Sequence, residues 1–257
     1  MPTVRRVVFN KKGGVGKTSI VCNLAAVAAG RGRRTLVVDL DPQADSTRYL
    51  LGERAPETAP TLKEFYEGSL GFSLLPDRPL ADYVHPTGIP KLDLVPSHPE
   101  LGSLEEKLQA RYKIFKLRDA LARLRYDEIY LDTPPAVGFF TISALVAADR
   151  CLIPFDCDDF SRQALYLLRG HVREVAADHN PRLAIEGVVV NQFDGRARLP
   201  QRLVGELEAE GFPLLRPFLS PSVKMRESHA AGRPLVSLAP RHKLAGQFAA
   251  LYDALPG

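Results

Sequence analysis

The chain predicts an α/β fold of the doubly wound kind, a mostly parallel sheet with helices on both faces. Three observations lead there. Short, continuous, β-branched runs recur along the whole length, with helical patterns between most of them. Strands that read as unbroken apolar runs are buried on both sides, as in a parallel sheet covered by helices. The first such run is followed by a glycine-rich turn and then by an Ala/Leu/Val-rich segment, a strand–loop–helix unit. Finally, 257 residues with 45% apolar content can bury one substantial core, so residues 1–257 are expected to form a single domain.

Val4 to Phe9 (V-R-R-V-V-F) is the first expected strand and Thr18 to Ala29 the first helix. Further strands are expected at Arg34 to Asp39, Lys91 to Val95, Glu128 to Asp132, Arg150 to Phe155, Ile185 to Asn191 and Pro213 to Phe218. Helical patterns cover Leu104 to Leu124, Ser161 to Ala177 and Leu199 to Glu210. Gly52 to Pro90 is richer in Pro and Gly, which predicts an irregular, surface-lying insertion. Towards the C-terminus, Leu244, Phe248, Leu251, Tyr252 and Leu255 recur at helical spacing, and no Lys or Arg follows Lys243. That stripe reads as a core-packing helix, because a membrane-surface helix needs a basic face.

No run of eighteen apolar residues exists, and the N-terminus lacks the charged-then-apolar profile of a signal peptide, so a soluble, cytoplasmic protein is expected. The net charge of +4 permits weak contacts to a phosphate backbone without requiring them. Cys22, Cys151 and Cys157 form no C-x-x-C pair; Cys22 and Cys151 lie in apolar runs and read as buried thiols.

The chemistry concentrates in Lys12-Gly13-Gly14-Val15-Gly16-Lys17-Thr18, followed by Ser19. Glycines let backbone N–H groups curl around phosphate oxygens, a lysine serves the β- and γ-phosphates, and a Ser or Thr hydroxyl serves Mg²⁺. Gly13, Gly14, Gly16, Lys17 and Thr18 meet those needs. Lys12 is a second lysine that one subunit's phosphate geometry does not require. This loop, K-G-G-V-G-K-T, resembles the deviant Walker A motif of the ParA/MinD group of ATPases. Three further segments extend the resemblance. Asp39-Leu40-Asp41-Pro42-Gln43 is similar to the group's switch I, with Asp41 following Lys17 by 24 residues. Tyr126 to Pro135, containing Asp132, resembles the Walker B strand and switch II, with Gly138 as a hinge. Ile185 to Arg196, containing Asn191, resembles the segment that reads the base, and N-Q-F-D in place of N-K-x-D favours adenine over guanine.

The resemblance implies an ATPase with ATP and Mg²⁺ as cofactors. Lys12, Lys17 and Asp41 are then catalytic, Asp41 orienting the attacking water. Lys12, Gly13, Gly14, Val15, Gly16, Lys17, Thr18, Ser19 and Asn191 bind ATP, and Thr18, Asp39, Asp41 and Asp132 serve the metal. Lys12 is implied to reach the partner's nucleotide across a two-fold axis, so that ATP holds a homodimer together. Two triphosphates facing each other repel unless cations lie between them.

ParA-type partition ATPases bind DNA non-specifically as ATP dimers and work with a ParB-like adaptor, which implies a nucleoid-associated protein. By position the matching basic residues are Arg196 and Lys224, with Arg198 and Arg202 alongside. From Asn191 to Gly257 there are nine Lys/Arg against six Asp/Glu. Ser220-Pro221-Ser222-Val223-Lys224 departs from the group's P-R-N-V-R by one basic residue. The chain starts almost directly at the first strand, so operator-specific repression through a helix-turn-helix preceding the loop is not expected. Three rivals share the loop: a MinD-like membrane-positioning ATPase, an iron–sulfur protein, and an ATP-dependent biosynthetic enzyme acting on a small molecule.

Overall fold

The computed structural model describes residues 2–71, 78–157 and 159–256. Its strands are β1 (Val4–Val8), β2 (Thr35–Asp39), β3 (His85–Pro86), β4 (Leu92–Val95), β5 (Glu128–Asp132), β6 (Arg150–Asp156), β7 (Ala184–Asn191) and β8 (Leu214–Leu215). They form one sheet in the order β3-β4-β2-β5-β1-β6-β7-β8. Every neighbouring pair is parallel except β3 with β4. The strand expected over Pro213 to Phe218 shrinks to two residues at the sheet edge, where Pro213 and Pro217 supply no N–H to a ladder.

The helices are α1 (Lys17–Gly30), α2 (Asp45–Leu51), α3 (Leu62–Gly68), α4 (Glu105–Ala110), α5 (Lys116–Leu121), α6 (Phe139–Ala147), α7 (Asp159–Asp178), α8 (Arg198–Ala209), α9 (Val223–Ala230), α10 (Leu235–Leu238) and α11 (Lys243–Asp253). Adjacent strand residues point to opposite faces, so Val7 and Val8, or Val38 and Val37, enter separate cores. One core takes α3, α4, α5 and α6, and the other takes α1, α2 and α11. This is the doubly wound arrangement. α1 is apolar nearly all round because it lies between the sheet, α2 and α11.

Two expectations are corrected. Leu104 to Leu124 is not one helix: it breaks between α4 and α5, with Tyr112 in the left-handed region at φ 53°. Leu108 and Leu117 are nine residues apart, which on a straight helix puts them on opposite sides. The break lets both reach the same core, where each is fully buried. The segment from Gly52 to Pro90 is also more than a surface insertion. Thr61 and Glu64 form a capping box that starts α3, and Leu62, Phe65, Tyr66, Leu80 and Tyr83 are buried in the core. The part at 72–77 lies outside the described residues.

Leu244, Phe248 and Leu251 of α11 are buried in the same core as α1, as the core-packing reading of that stripe expects. At the end of the sheet away from the loop, Arg6 donates to Glu128 and Glu186 and to the Pro256 carbonyl, and Tyr252 donates to Glu128. These bonds anchor the C-terminal residues. Arg6 is 3% exposed, so its partners stand in a low-dielectric setting where each charge depends on the others. Among the described residues, no helix is long and apolar enough to cross a membrane.

Candidate nucleotide-binding site

Five neighbouring strands, β2, β5, β1, β6 and β7, bring their carboxyl ends to one edge, and the expected site residues follow those ends. The order in the sheet differs from the order in the chain, which opens a crevice beside β1 where ligands of such sheets bind. The loop Lys11–Gly16 joins β1 to α1, so the N-terminus of α1 faces that crevice with its free N–H groups.

Gly14 and Gly16 have φ of 78° and 90°, which other residues adopt only with strain. At Gly16 a Cβ would also meet Asn191 Nδ2 at 2.4 Å, so both torsion and space demand glycine there. Asn191 closes this contact by donating to the Val15 carbonyl at 3.0 Å, and Gln192 after it takes φ 53°. The structure therefore joins the base-reading candidate directly to the phosphate loop. A cavity of about 600 Å³ runs between them, lined among others by Gly14, Gly16, Ser19, Asn191, Ser222 and Arg226.

Lys17 is 8% exposed, and its amine donates to the Lys12 carbonyl at 3.2 Å, curling over the loop. Burial pulls its pKa below the ordinary lysine value, while Asp132 and Asp41 favour the charged form. Thr18 Oγ1 donates to Asp132 Oδ2 at 2.8 Å. Ser46 Oγ donates to the same oxygen at 2.7 Å. Asp132 Oδ1 is buried with no hydrogen-bond partner, the only carboxylate oxygen so placed among the described residues. A buried, partnerless carboxylate oxygen beside a threonine hydroxyl fits a cation site.

Asp39 pairs in register with Asp132 across β2 and β5. It is turned onto α2 and accepts from the N–H and hydroxyl of Thr47, while its other oxygen accepts from the Asp41 N–H. The direct metal candidates are therefore Thr18 and Asp132, and Asp39 holds the Asp41 segment in place. Asp41 is half-buried; its Oδ1 accepts from the Gln43 N–H at 2.9 Å, and burial raises its pKa. Alternate strand residues do bring Asp39 and Asp41 close, but the turn sends their carboxylates to different partners.

Lys12 takes a different direction from Lys17. Its amine pairs with Asp156 Oδ2 at 2.9 Å, and the side chain is 38% exposed. The basic candidates lie on two segments beside the cavity. Arg196 and Arg198 are exposed after β7, Arg202 pairs with Glu206 on α8, and Lys224 on α9 pairs with Glu227 at 2.6 Å. Gly138 caps α6, where the Phe139 N–H donates to Glu105, and a side chain at 138 would have to displace the Glu105 carboxylate. Sequence reading missed Ser46, Asp156, Arg226 and His229. Ser46, three residues after D-x-D-P-Q, and Arg226, two residues after Ser220–Lys224, stood beside segments that pattern alone had drawn attention to. Cys22 and Cys151 are buried, and the described residues hold no group of three or more His, Cys, Asp or Glu side chains placed to ligate one metal ion by themselves.

A carboxylate raised by burial carries a consequence for stability. Asp132 is pushed up to about 6 from 3.8, first by burial and then by Asp41. A raised acid stabilises the fold while protonated, so this contribution is full below about pH 4 and is lost as pH rises through about 6. Asp132→Asn keeps the shape and removes the charge. We expect it to raise the stability of the nucleotide-free protein at pH 7.5 by about 2 kcal/mol, seen as a higher Tm, and to leave stability at pH 4 nearly unchanged. The same variant should lose Mg²⁺-dependent tightening of nucleotide binding; tightening as large as in the wild type would remove Asp132 from the cation site.

Fold and site together define a P-loop ATPase with a second lysine opening its phosphate loop. The family model described as AAA domain, AAA_31, matches residues 5–185. The chromosome partitioning protein ParA of Myxococcus xanthus (strain DK1622) is 36% identical over 243 residues, covering 91% of this chain and 82% of that protein. Among solved structures, cobyrinic acid a,c-diamide synthase from Mycobacterium smegmatis with bound ATP analogue and magnesium aligns with a TM-score of 0.81. It is 25% identical and covers 98% of this chain and 94% of that one. Cyanothece apo McdA aligns with a TM-score of 0.84 at 23% identity, covering 98% and 99%. The chain belongs to the AAA_31 family, in the ParA/MinD group of ATPases.

Proposed function

We propose that this Mg²⁺-dependent ATPase is a dimerising switch of the ParA type, acting as one domain, that binds DNA non-specifically and segregates or positions DNA or another cargo. The observation that carries the reading is the direction of the two loop lysines. Lys17 folds over its own loop, whereas Lys12 turns away from it to Asp156 and is partly exposed. A cation displayed there can neutralise a triphosphate held by a second copy, which makes closure of the pair depend on nucleotide. The adenine edge is read by Asn191, whose amide offers both a donor and an acceptor. Bound Mg²⁺ supplies charge neutralisation at the phosphates, and Thr18 and Asp132 are the residues that would hold it. Asp41, anchored through Gln43 and Asp39, orients the attacking water.

Pairing two copies doubles a weak basic patch, and bivalence can supply the affinity that one patch of Arg196, Arg198, Arg202 and Lys224 lacks. The reading places the protein on the nucleoid with a ParB-like adaptor stimulating hydrolysis, in the cytoplasm and off the membrane. DNA retention measured with ADP, ATP and a non-hydrolysable analogue tests it: retention is expected with ATP and the analogue and absent with ADP. Arg196→Ala with Lys224→Ala should reduce that retention about ten-fold at moderate salt and flatten its salt dependence, since each lost phosphate contact releases fewer counterions. Retention insensitive to nucleotide, or activity that appears only with a small carboxylate substrate, would favour the biosynthetic rival.

A further inference from the structure

Helix α9 forms one wall of the nucleotide cavity through Val223, Met225 and Arg226, and it carries Lys224 on the candidate DNA surface. One turn further along it stands His229. The His229 imidazole makes two contacts that the nucleotide chemistry described above does not use. Its Nε2 lies 2.7 Å from Ser19 Oγ, in the first turn of α1 directly after Thr18. Its ring stacks on Tyr49 of α2, with centroids 3.9 Å apart and planes 14° from parallel.

Tyr49 is not a loose platform. It is 1% exposed, and its hydroxyl is bonded to Ser228 at 2.7 Å, to Asn23 at 3.3 Å and to the Leu235 N–H at 3.2 Å. Asn23 in turn donates to the Ser19 carbonyl at 2.8 Å and accepts from the Val236 N–H at 3.1 Å. Ser19, His229, Tyr49 and Asn23 thus close a ring of contacts joining three elements. α1 follows the phosphate loop. α2 follows the Asp41 segment, and its Ser46 touches Asp132. α9 leads to the basic patch.

We propose that His229 is the positioning residue through which an occupied phosphate loop fixes α9, and so couples nucleotide binding to the DNA surface. This rests on the functional reading above for the DNA part, and on the phosphate loop alone for the nucleotide part. The chemistry turns on a single proton. The Ser19 hydroxyl has one hydrogen and can also accept. With the cavity free of nucleotide, that hydrogen can go to His229 Nε2. A phosphate oxygen at Ser19 only accepts, so it claims the hydroxyl hydrogen, and the bond to His229 then survives only if Nε2 carries a proton and donates to Ser19 Oγ. Phosphate occupancy thereby orders the chain Nε2–H to Oγ–H to phosphate and holds α9 against α1. Hydrogen bonds that end on an anion are stronger than neutral ones, so the link tightens when nucleotide arrives.

Two variants separate bonding from packing. His229→Phe keeps a ring on Tyr49 and removes the donor, whereas His229→Gln keeps an N–H donor and removes the stack. Fluorescent-ATP titration and DNA retention are measured for both, together with Ser19→Ala and the double variant Ser19→Ala/His229→Phe, and each protein's Tm is recorded. His229→Phe is expected to weaken ATP binding about ten-fold with Tm unchanged, and His229→Gln to recover most of that loss. The double variant should be no worse than Ser19→Ala alone, because both remove one link. Wild-type ATP affinity in His229→Phe, or losses that multiply in the double variant, would overturn the proposal. If the wild-type protein itself retains no DNA with ATP, the partition reading fails, and the ATP titration still decides the role of His229.

Discussion

Lys17→Ala should lose nucleotide, with ATP affinity falling by two to three orders of magnitude, about 3–4 kcal/mol, in a fluorescent-nucleotide titration or by calorimetry. The size of the effect follows from where the amine sits. Lys17 is nearly buried and lies over its own loop through the Lys12 carbonyl, so a phosphate arriving there meets a cation already held in place and partly stripped of water. Truncation removes that cation and also withdraws the charge that offsets Asp132 and Asp41, which act on Lys17 in the opposite sense to its burial. The loop would then present only N–H groups, with two carboxylates behind them. Because those carboxylates repel each other without Lys17, the variant's Tm should be measured alongside. ATP affinity within a factor of about three of wild type, in a protein of normal Tm, would contradict the assignment of the loop.

Asp41→Ala should slow hydrolysis by on the order of 100-fold while leaving ATP bound, and so accumulate the ATP-bound dimer. Asp41 lies outside the phosphate loop, and its carboxylate accepts from the Gln43 N–H and is half-buried. Burial raises its pKa, which moves a carboxylate towards the range useful for handling the proton of an attacking water. Its position is set by Asp39, which accepts from the Asp41 N–H on one side and from Thr47 on the other. Single-turnover hydrolysis with light scattering or analytical ultracentrifugation checks the two halves of the expectation. A variant that remains monomeric with ATP yet hydrolyses it at the wild-type rate would remove Asp41 from the water-positioning role.

The stacking of His229 on Tyr49 gives the two predictions a common structural setting. α2 begins four residues after Asp41, and Tyr49 on α2 faces α9. A change in the Asp41 segment on hydrolysis can therefore reach α9 through α2, while a change in the phosphate loop reaches it through Ser19. The two routes meet at one imidazole.

Much of the site could be read in the chain because its parts are local. K-G-G-V-G-K-T needs only its own backbone to form a loop, and D-x-D-P-Q and the Asp132 strand announce themselves by an apolar run that ends in a carboxylate. The strand runs themselves were legible for the same reason: a strand buried on both faces must be apolar throughout. Local pattern failed where partners are distant in sequence. Leu108 and Leu117 share a core only because the chain breaks between them, and nothing at Tyr112 marks that break. Thr61-Leu62-Lys63-Glu64 did carry a capping box, but the Pro- and Gly-rich surroundings masked it.

By itself, then, the amino-acid sequence determined the α/β class, the phosphate loop and the carboxylates that end β2 and β5, since each is a property of consecutive residues. Tertiary structure alone decided which oxygen of which aspartate is left for a cation, where Lys12 points, and that His229 touches Ser19 210 positions away. Those outcomes depend on strand order and helix docking. Such long-range geometry is set by burying two faces of one sheet at once, and no window of neighbouring residues contains it.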